Sequence, residues 1–86
     1  MWEIRWKLRA RKAYLALPKN VRDAMESRID ALATNPRPPG CRKMTGYNTL
    51  YRIRVGEYRI LYEIRDNVLT VIVIWVGARG SAYKKL

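Results

Sequence analysis

From Leu50 to Ile64 the chain alternates almost residue by residue between apolar and cationic or polar side chains, interrupted at Gly56-Glu57. A period of two is the mark of a β-strand, because successive side chains of a strand point to opposite faces. On one strand Tyr51, Ile53 and Val55 turn one way and Arg52 and Arg54 the other. On the next, Tyr58, Ile60, Tyr62 and Ile64 oppose Arg59, Leu61 and Glu63. A turn through Gly56 joins them, and burying the apolar sets leaves Arg52, Arg54 and Arg59 together on the opposite face. Side chains two apart on a strand are roughly 6.5–7 Å from each other, close to the spacing of neighbouring phosphates on a nucleic-acid strand. The pattern therefore demands a sheet covered on one side, with a cationic display on the other.

The flanking sequence supplies the cover. Trp2, Ile4, Trp6 and Leu8 alternate with Glu3, Arg5 and Lys7, which predicts a first half-buried strand. Ala10, Ala13, Tyr14 and Leu17 then change to a spacing of three and four, that of a short amphipathic helix. Pro18 suits the first turn of a second helix, whose apolar face is Val21, Ala24, Met25, Ile29 and Leu32. Proline disfavours helical geometry in the residue before it, so this helix should stop ahead of Asn35-Pro36. Arg28 falls within the apolar face; its stem is expected to pack while its guanidinium snorkels or pairs with an acid such as Glu63. Pro36, Pro38, Pro39 and Gly40 form an irregular loop that runs into the basic pair Arg42-Lys43. Asp66-Asn67 is read as a tight turn into a strand over Val68–Val76, apolar on both faces and so the most buried. Trp2, Trp6 and Trp75 are read as core fillers. The expected fold is α+β: strand, helix, helix, then a three-strand antiparallel meander. Its two helices pack on one face of a four-stranded sheet, and residues 1–86 form one domain.

Charge narrows the function. The net charge is +11 with 18 basic and 7 acidic side chains, an excess that favours a polyanionic partner. Residues 18–34 are neutral, so the excess lies on the first strand and helix, the central loop and the C-terminal half. There are no histidines and one cysteine, Cys41, so an intramolecular disulfide is impossible and a reducing cytoplasm fits best. The acidic residues show no ligand-like spacing, so neither a metal site nor another cofactor is expected. Glu3, Arg5 and Lys7 interrupt any apolar leader, and Val68–Val76 is too short to span a bilayer, so no membrane partner is expected.

Tyr51-Arg-Ile-Arg-Val-Gly-Glu-Tyr-Arg59, Leu61-Tyr-Glu-Ile64 and Val76-Gly-Ala-Arg79 closely resemble the signature of the RelE superfamily of bacterial and archaeal toxins. The Leu17-Pro18 junction and the strand order fit as well, and the likeness runs from Ile4 to Tyr83. The resemblance implies a type II toxin–antitoxin toxin that enters the A site of the 70S ribosome and cuts the mRNA there. It implies that Arg52 and Arg54 bind and activate the RNA, that Arg59 and Arg79 join them, and that Tyr83 completes a catalytic set. Arg42, Lys43, Lys84 and Lys85 are further expected RNA contacts. A RelB-like antitoxin that wraps the basic surface is implied too. Two departures stand out: many relatives carry His or Lys where this chain has Ala78, and some carry Lys at the positions of Arg52 and Arg54.

Metal-independent cleavage proceeds by attack of a 2′-hydroxyl on the adjacent phosphate, leaving a cyclic phosphate and a free 5′-hydroxyl. The step needs a base, an acid and positive charge around the transition state. Arginines supply the charge, but a guanidinium keeps its proton above pH 12 and is a poor base. Tyr83, Lys84 or Lys85 would carry protons if neighbouring cations lower their pKa values, and Glu63 is expected to pair with an arginine. Two rival readings remain at this level: a ParE-like toxin without nuclease activity that inhibits DNA gyrase, and a catalytically inactive RNA- or ribosome-binding relative.

Overall fold

The computed structural model describes residues 1–78. The elements are β1 (Glu3–Trp6), α1 (Leu8–Leu15), α2 (Lys19–Leu32), β2 (Arg42–Lys43), β3 (Leu50–Val55), β4 (Tyr58–Arg65), a 3₁₀ turn (Asp66–Val68) and β5 (Thr70–Ala78). They form the expected α+β arrangement with one strand more than anticipated. The sheet has five strands in the order β1-β5-β4-β3-β2. β1 runs parallel to β5, and every other pairing is antiparallel. The added strand, β2, is only two residues long, too short to leave a periodic trace beside a proline-rich loop.

Pro18 immediately precedes α2, and its carbonyl accepts the first helical N–H groups, from Val21 at 3.0 Å and Arg22 at 2.9 Å. α2 buries Met25, Ile29 and Leu32, a stripe at spacings of four and three, while Val21 is half-buried. Ala24, expected on this stripe, is exposed at its edge. With Ala10 and Tyr14 of α1 these side chains cover one face of the sheet, packing on Ile53, Val55, Ile60, Tyr62, Ile64, Val71, Val73 and Val76. Trp2 and Trp6 pack half-buried against this core, and Trp6 lies 5.0 Å from the Tyr14 ring.

The strand expected from Val68 begins instead at Thr70. Asp66–Val68 forms a 3₁₀ turn, and Leu69 closes it in the left-handed region at φ 47°, leaving Val68 and Leu69 exposed. The turn anchors the proline loop. Both terminal nitrogens of Arg37 donate to the Asp66 carboxylate, at 3.2 and 2.9 Å. Arg37 Nε donates to Tyr51 Oη at 3.3 Å, and the guanidinium sits 5.2 Å from the Tyr51 ring centroid. These bonds hold the Asp66 carboxyl below its ordinary range. Tyr62 is fully buried, and its hydroxyl donates to the Pro36 carbonyl at 2.8 Å; burial pushes its pKa well above the usual phenol value. Among the described residues no helix is long and apolar enough to cross a membrane.

Candidate nucleic-acid interface

The sheet face away from the helices is organised in rows, because residues in register on neighbouring strands share a face. One row runs Arg42, Arg52, Leu61, Trp75 from β2 to β5. The next runs Arg54, Arg59, Gly77 from β3 to β5. Four arginines thus occupy one corner of the sheet, Arg42 directly opposite Arg52 and Arg54 directly opposite Arg59. Opposed side chains on adjacent strands are about 4.5–5.5 Å apart at Cβ, and like charges so placed are destabilising. Arg52 and Arg59 are half-buried, whereas Arg42 and Arg54 are exposed. Guanidinium groups are the side chains best matched to phosphate oxygens, through paired N–H donors in a planar fork.

An open cleft of about 580 Å³ continues this corner toward the sheet edge, lined by Cys41, Arg42, Lys43, Met44, Thr45 and Arg52. Lys43 is exposed and pairs in register with Tyr51, so its alternation places it on the opposite face from Arg42. Arg28 does not reach Glu63. Its Nη1 donates to the Arg54 backbone carbonyl at 3.1 Å, holding the outer edge of β3, and Glu63 instead accepts from Arg65 Nε at 2.6 Å.

The fold agrees with what known proteins show. The family model for the ParE toxin of the type II toxin–antitoxin system matches residues 4–83. A toxin designated RelE1 from Methanocaldococcus jannaschii is 30% identical over 70 residues, 78% of this chain and 77% of its own. The chain belongs to the RelE/ParE superfamily of type II toxins. The RelE–RelB complex of the archaeon Pyrococcus horikoshii contains a similar chain, with a TM-score of 0.82 at 26% identity, covering 94% of this chain and 98% of that one. The isolated RelE toxin of E. coli shares the fold with a TM-score of 0.84 at 24% identity over 99% of this chain and 92% of its own.

On this RelE-type sheet the structure brings together Arg52, Arg54, Arg59 and Arg42 of the residues expected from sequence. Arg79, Tyr83, Lys84 and Lys85 lie outside the described residues. One residue of the face escaped sequence reasoning. Trp75, expected in the core, is half-buried on the arginine face, in register with Leu61. The cause is a bulge: the register shifts between Leu61 and Tyr62, so that Tyr62 pairs with Val73 but Leu61 with Trp75. Val73 and Val76, three apart, can then both enter the core, and Trp75 between them turns outward. Strict alternation from Val71 and Val73 would have sent Trp75 inward. The bulge leaves no mark in an all-apolar run, and the available hint is Gly77, two residues on.

Proposed function

We propose that this RelE-type toxin is a ribosome-dependent endoribonuclease that cuts mRNA in the A site of the 70S ribosome. The chemistry is metal-independent attack of a 2′-hydroxyl on the adjacent phosphate. One observation carries the reading: the registers of β2, β3 and β4 bring Arg42, Arg52, Arg54 and Arg59 together on the sheet face away from the helices, a cluster of planar donors matched to phosphate oxygens. Arg52 and Arg54 hold the phosphate chain, and Arg59 with Arg79 stabilises the charge that grows on the phosphorane-like transition state. Tyr83 is assigned the role of proton carrier in this reading. Arg42 and Lys43 extend the RNA path along the edge cleft, and Lys84 and Lys85 add further contacts.

The same surface is the natural target of a RelB-like antitoxin, as the partner in the Pyrococcus horikoshii complex is a RelB protein. In the cytoplasm the whole chain, residues 1–86, works as one toxin domain, neutralised while that antitoxin covers its cations. Cleavage of mRNA on programmed 70S ribosomes by the purified protein, beside the same RNA free in solution, tests the reading. Cuts at the A-site codon on ribosomes alone are expected, and intact mRNA in both reactions from a folded protein overturns it. The family-model match favours a second reading, since that model is named for ParE: a toxin of the same fold that inhibits DNA gyrase. DNA damage on expression without mRNA cleavage would select it.

A further inference from the structure

The two edges of the sheet differ in what they offer a partner. β2 is two residues long and wholly cationic, Arg42-Lys43, whereas β1 is four residues long and carries one charge of each sign, Glu3 and Arg5. A strand edge presents backbone donors and acceptors with which another strand can pair. The sequence through β1 reads Trp2-Glu3-Ile4-Arg5-Trp6, a palindrome but for the opposite signs of its two charges. We propose that this edge is a dimer interface: two copies of the chain pair their β1 strands antiparallel about Ile4, joining two five-stranded sheets into one. The inference stands apart from the RNA-cleaving reading and holds for either toxin activity.

Three features carry it. First, the backbone is turned the right way. β5 is the only strand beside β1 among the described residues, and it engages alternate residues: the Glu3 N–H donates to the Leu69 carbonyl and the Lys7 N–H to the Val73 carbonyl, each at 2.9 Å. Arg5 continues that series, so Ile4 and Trp6 turn their N–H and C=O groups to the outer edge. Second, the register is self-complementary. Centred on Ile4, an antiparallel pair sets Glu3 against Arg5 of the second copy on the open face, and Trp2 against Trp6 on the helix-covered face, each twice over. The neighbouring registers, centred on Glu3 or on Arg5, set like charges against each other. Glu3 and Arg5 are exposed and meet at 2.6 Å within the chain. A carboxylate and a guanidinium each have capacity for a second partner, so the four side chains close into a ring of alternating sign. Third, both flanks of the edge are concave. A cleft of about 290 Å³ on the helix side is lined by Ile4, Trp6, Tyr14 and Leu15 among others, and one of about 300 Å³ on the open side by Glu3, Arg5, Arg65 and Val68 among others. Side chains of an added strand alternate between those two spaces. The Trp2 N–H is held by the Ala33 carbonyl at 2.8 Å, so the ladder is short. The two Ile4 residues exchange both bonds, and each Trp6 N–H reaches the other copy's Trp2 carbonyl. So small an interface makes a concentration-dependent dimer, not an obligate one. The arginine corner lies toward the β2 end of each sheet, clear of the interface.

The test is sedimentation equilibrium of the purified full chain from micromolar to near-millimolar concentration, with charge-swapped variants beside it. Wild type should pass from monomer to dimer as concentration rises. Glu3→Arg alone and Arg5→Glu alone should each weaken the dimer roughly 5- to 100-fold, because two cross-strand pairs turn from attraction to repulsion. Mixed in equal amounts, the two variants should associate as tightly as wild type, since each arginine of the first then faces a glutamate of the second. Neither variant keeps the internal pair of Glu3 with Arg5, so recovery in the mixture reports pairing between chains and not a repaired fold. Backbone hydrogen exchange reads the register. The Ile4 and Trp6 amides should exchange more slowly as the dimer fills, while the Lys7 amide, already bonded to β5, should change little. A monomer at every concentration overturns the proposal and leaves the edge to a strand of another protein. A dimer that both single swaps leave intact, a mixture no tighter than its components, or an Ile4 amide indifferent to concentration overturns it as well.

Discussion

The two ends of the open sheet face treat charge in opposite ways. At the β1 end, Glu3 and Arg65 flank Thr70 in one row, and Arg5 and Glu63 flank Ile72 in the next. Signs alternate there in both directions. Arg5 meets Glu3 at 2.6 Å and Arg65 meets Glu63 at 2.6 Å, so the charges satisfy one another locally. At the β2 end the corresponding positions are Arg42, Arg52, Arg54 and Arg59, with Leu61, Trp75 and Gly77 as the remaining members of the rows and no acidic residue among them. The same strands thus build rows of alternating sign and, a few residues along, rows in which every charged member is an arginine. Cross-strand pairing energies are a few tenths of a kcal/mol to about 1 kcal/mol each, so neither pattern decides by itself whether the sheet forms.

The comparison breaks most visibly under charge changes at the β2 end. Arg52→Ala should lower the rate of A-site cleavage by at least ~10²-fold, the scale of losing one preorganised charge at a transition state, read by primer extension on programmed ribosomes. Arg54→Glu sharpens the contrast, because it places a carboxylate opposite Arg59. Cleavage should fall as far or further, and a rate unchanged within about threefold would remove Arg54 from the RNA path. Removing one cation from the other end should do little. Arg5→Ala and Arg65→Ala are expected to leave cleavage within about threefold and to change stability by less than about 1 kcal/mol, as exposed ion pairs do.

The smallest effect is a pH dependence at the anchored turn. Arg37 holds the Asp66 carboxyl below its ordinary range, so its contribution to stability is complete above that range. It is lost as pH falls through the depressed value. Asp66→Asn should therefore flatten the acid side of the stability profile, below about pH 4, and lower the midpoint slightly at pH 7. Urea midpoints at both pH values check it, and an acid limb as steep as that of wild type would exclude the Arg37 pairing as a source of pH dependence.

How much of this was legible beforehand follows from what leaves a periodic trace. Alternation exposed β1, β3 and β4, and with them the shared face of Arg52, Arg54 and Arg59, because one buried side fixes which residues must face outward. Spacings of three and four exposed both helices. β2 was hidden by its length, and the start of β5 by a 3₁₀ turn whose apolar Val68 and Leu69 read as strand although both are exposed. Arg28 was read from its helix face toward Glu63, but its long side chain reaches the backbone of β3. Trp75 was misplaced because a run apolar on both faces carries no phase, so one inserted residue shifts every later side chain unnoticed.

The parallel pairing of β1 with β5 has a consequence for when this surface exists. Glu3 is in register with Thr70, so the strand made early in synthesis waits for the one made late, with the helices and the whole hairpin between them. Closing so wide a loop is slow, and no earlier strand takes β5's place between β1 and β4. A chain still being synthesised pairs Arg42 with Arg52 and Arg54 with Arg59 through β2, β3 and β4 alone, but the sheet that backs them is complete only once β5 is made. The toxin assembles late, after the last strand of its sheet has cleared the ribosome that made it.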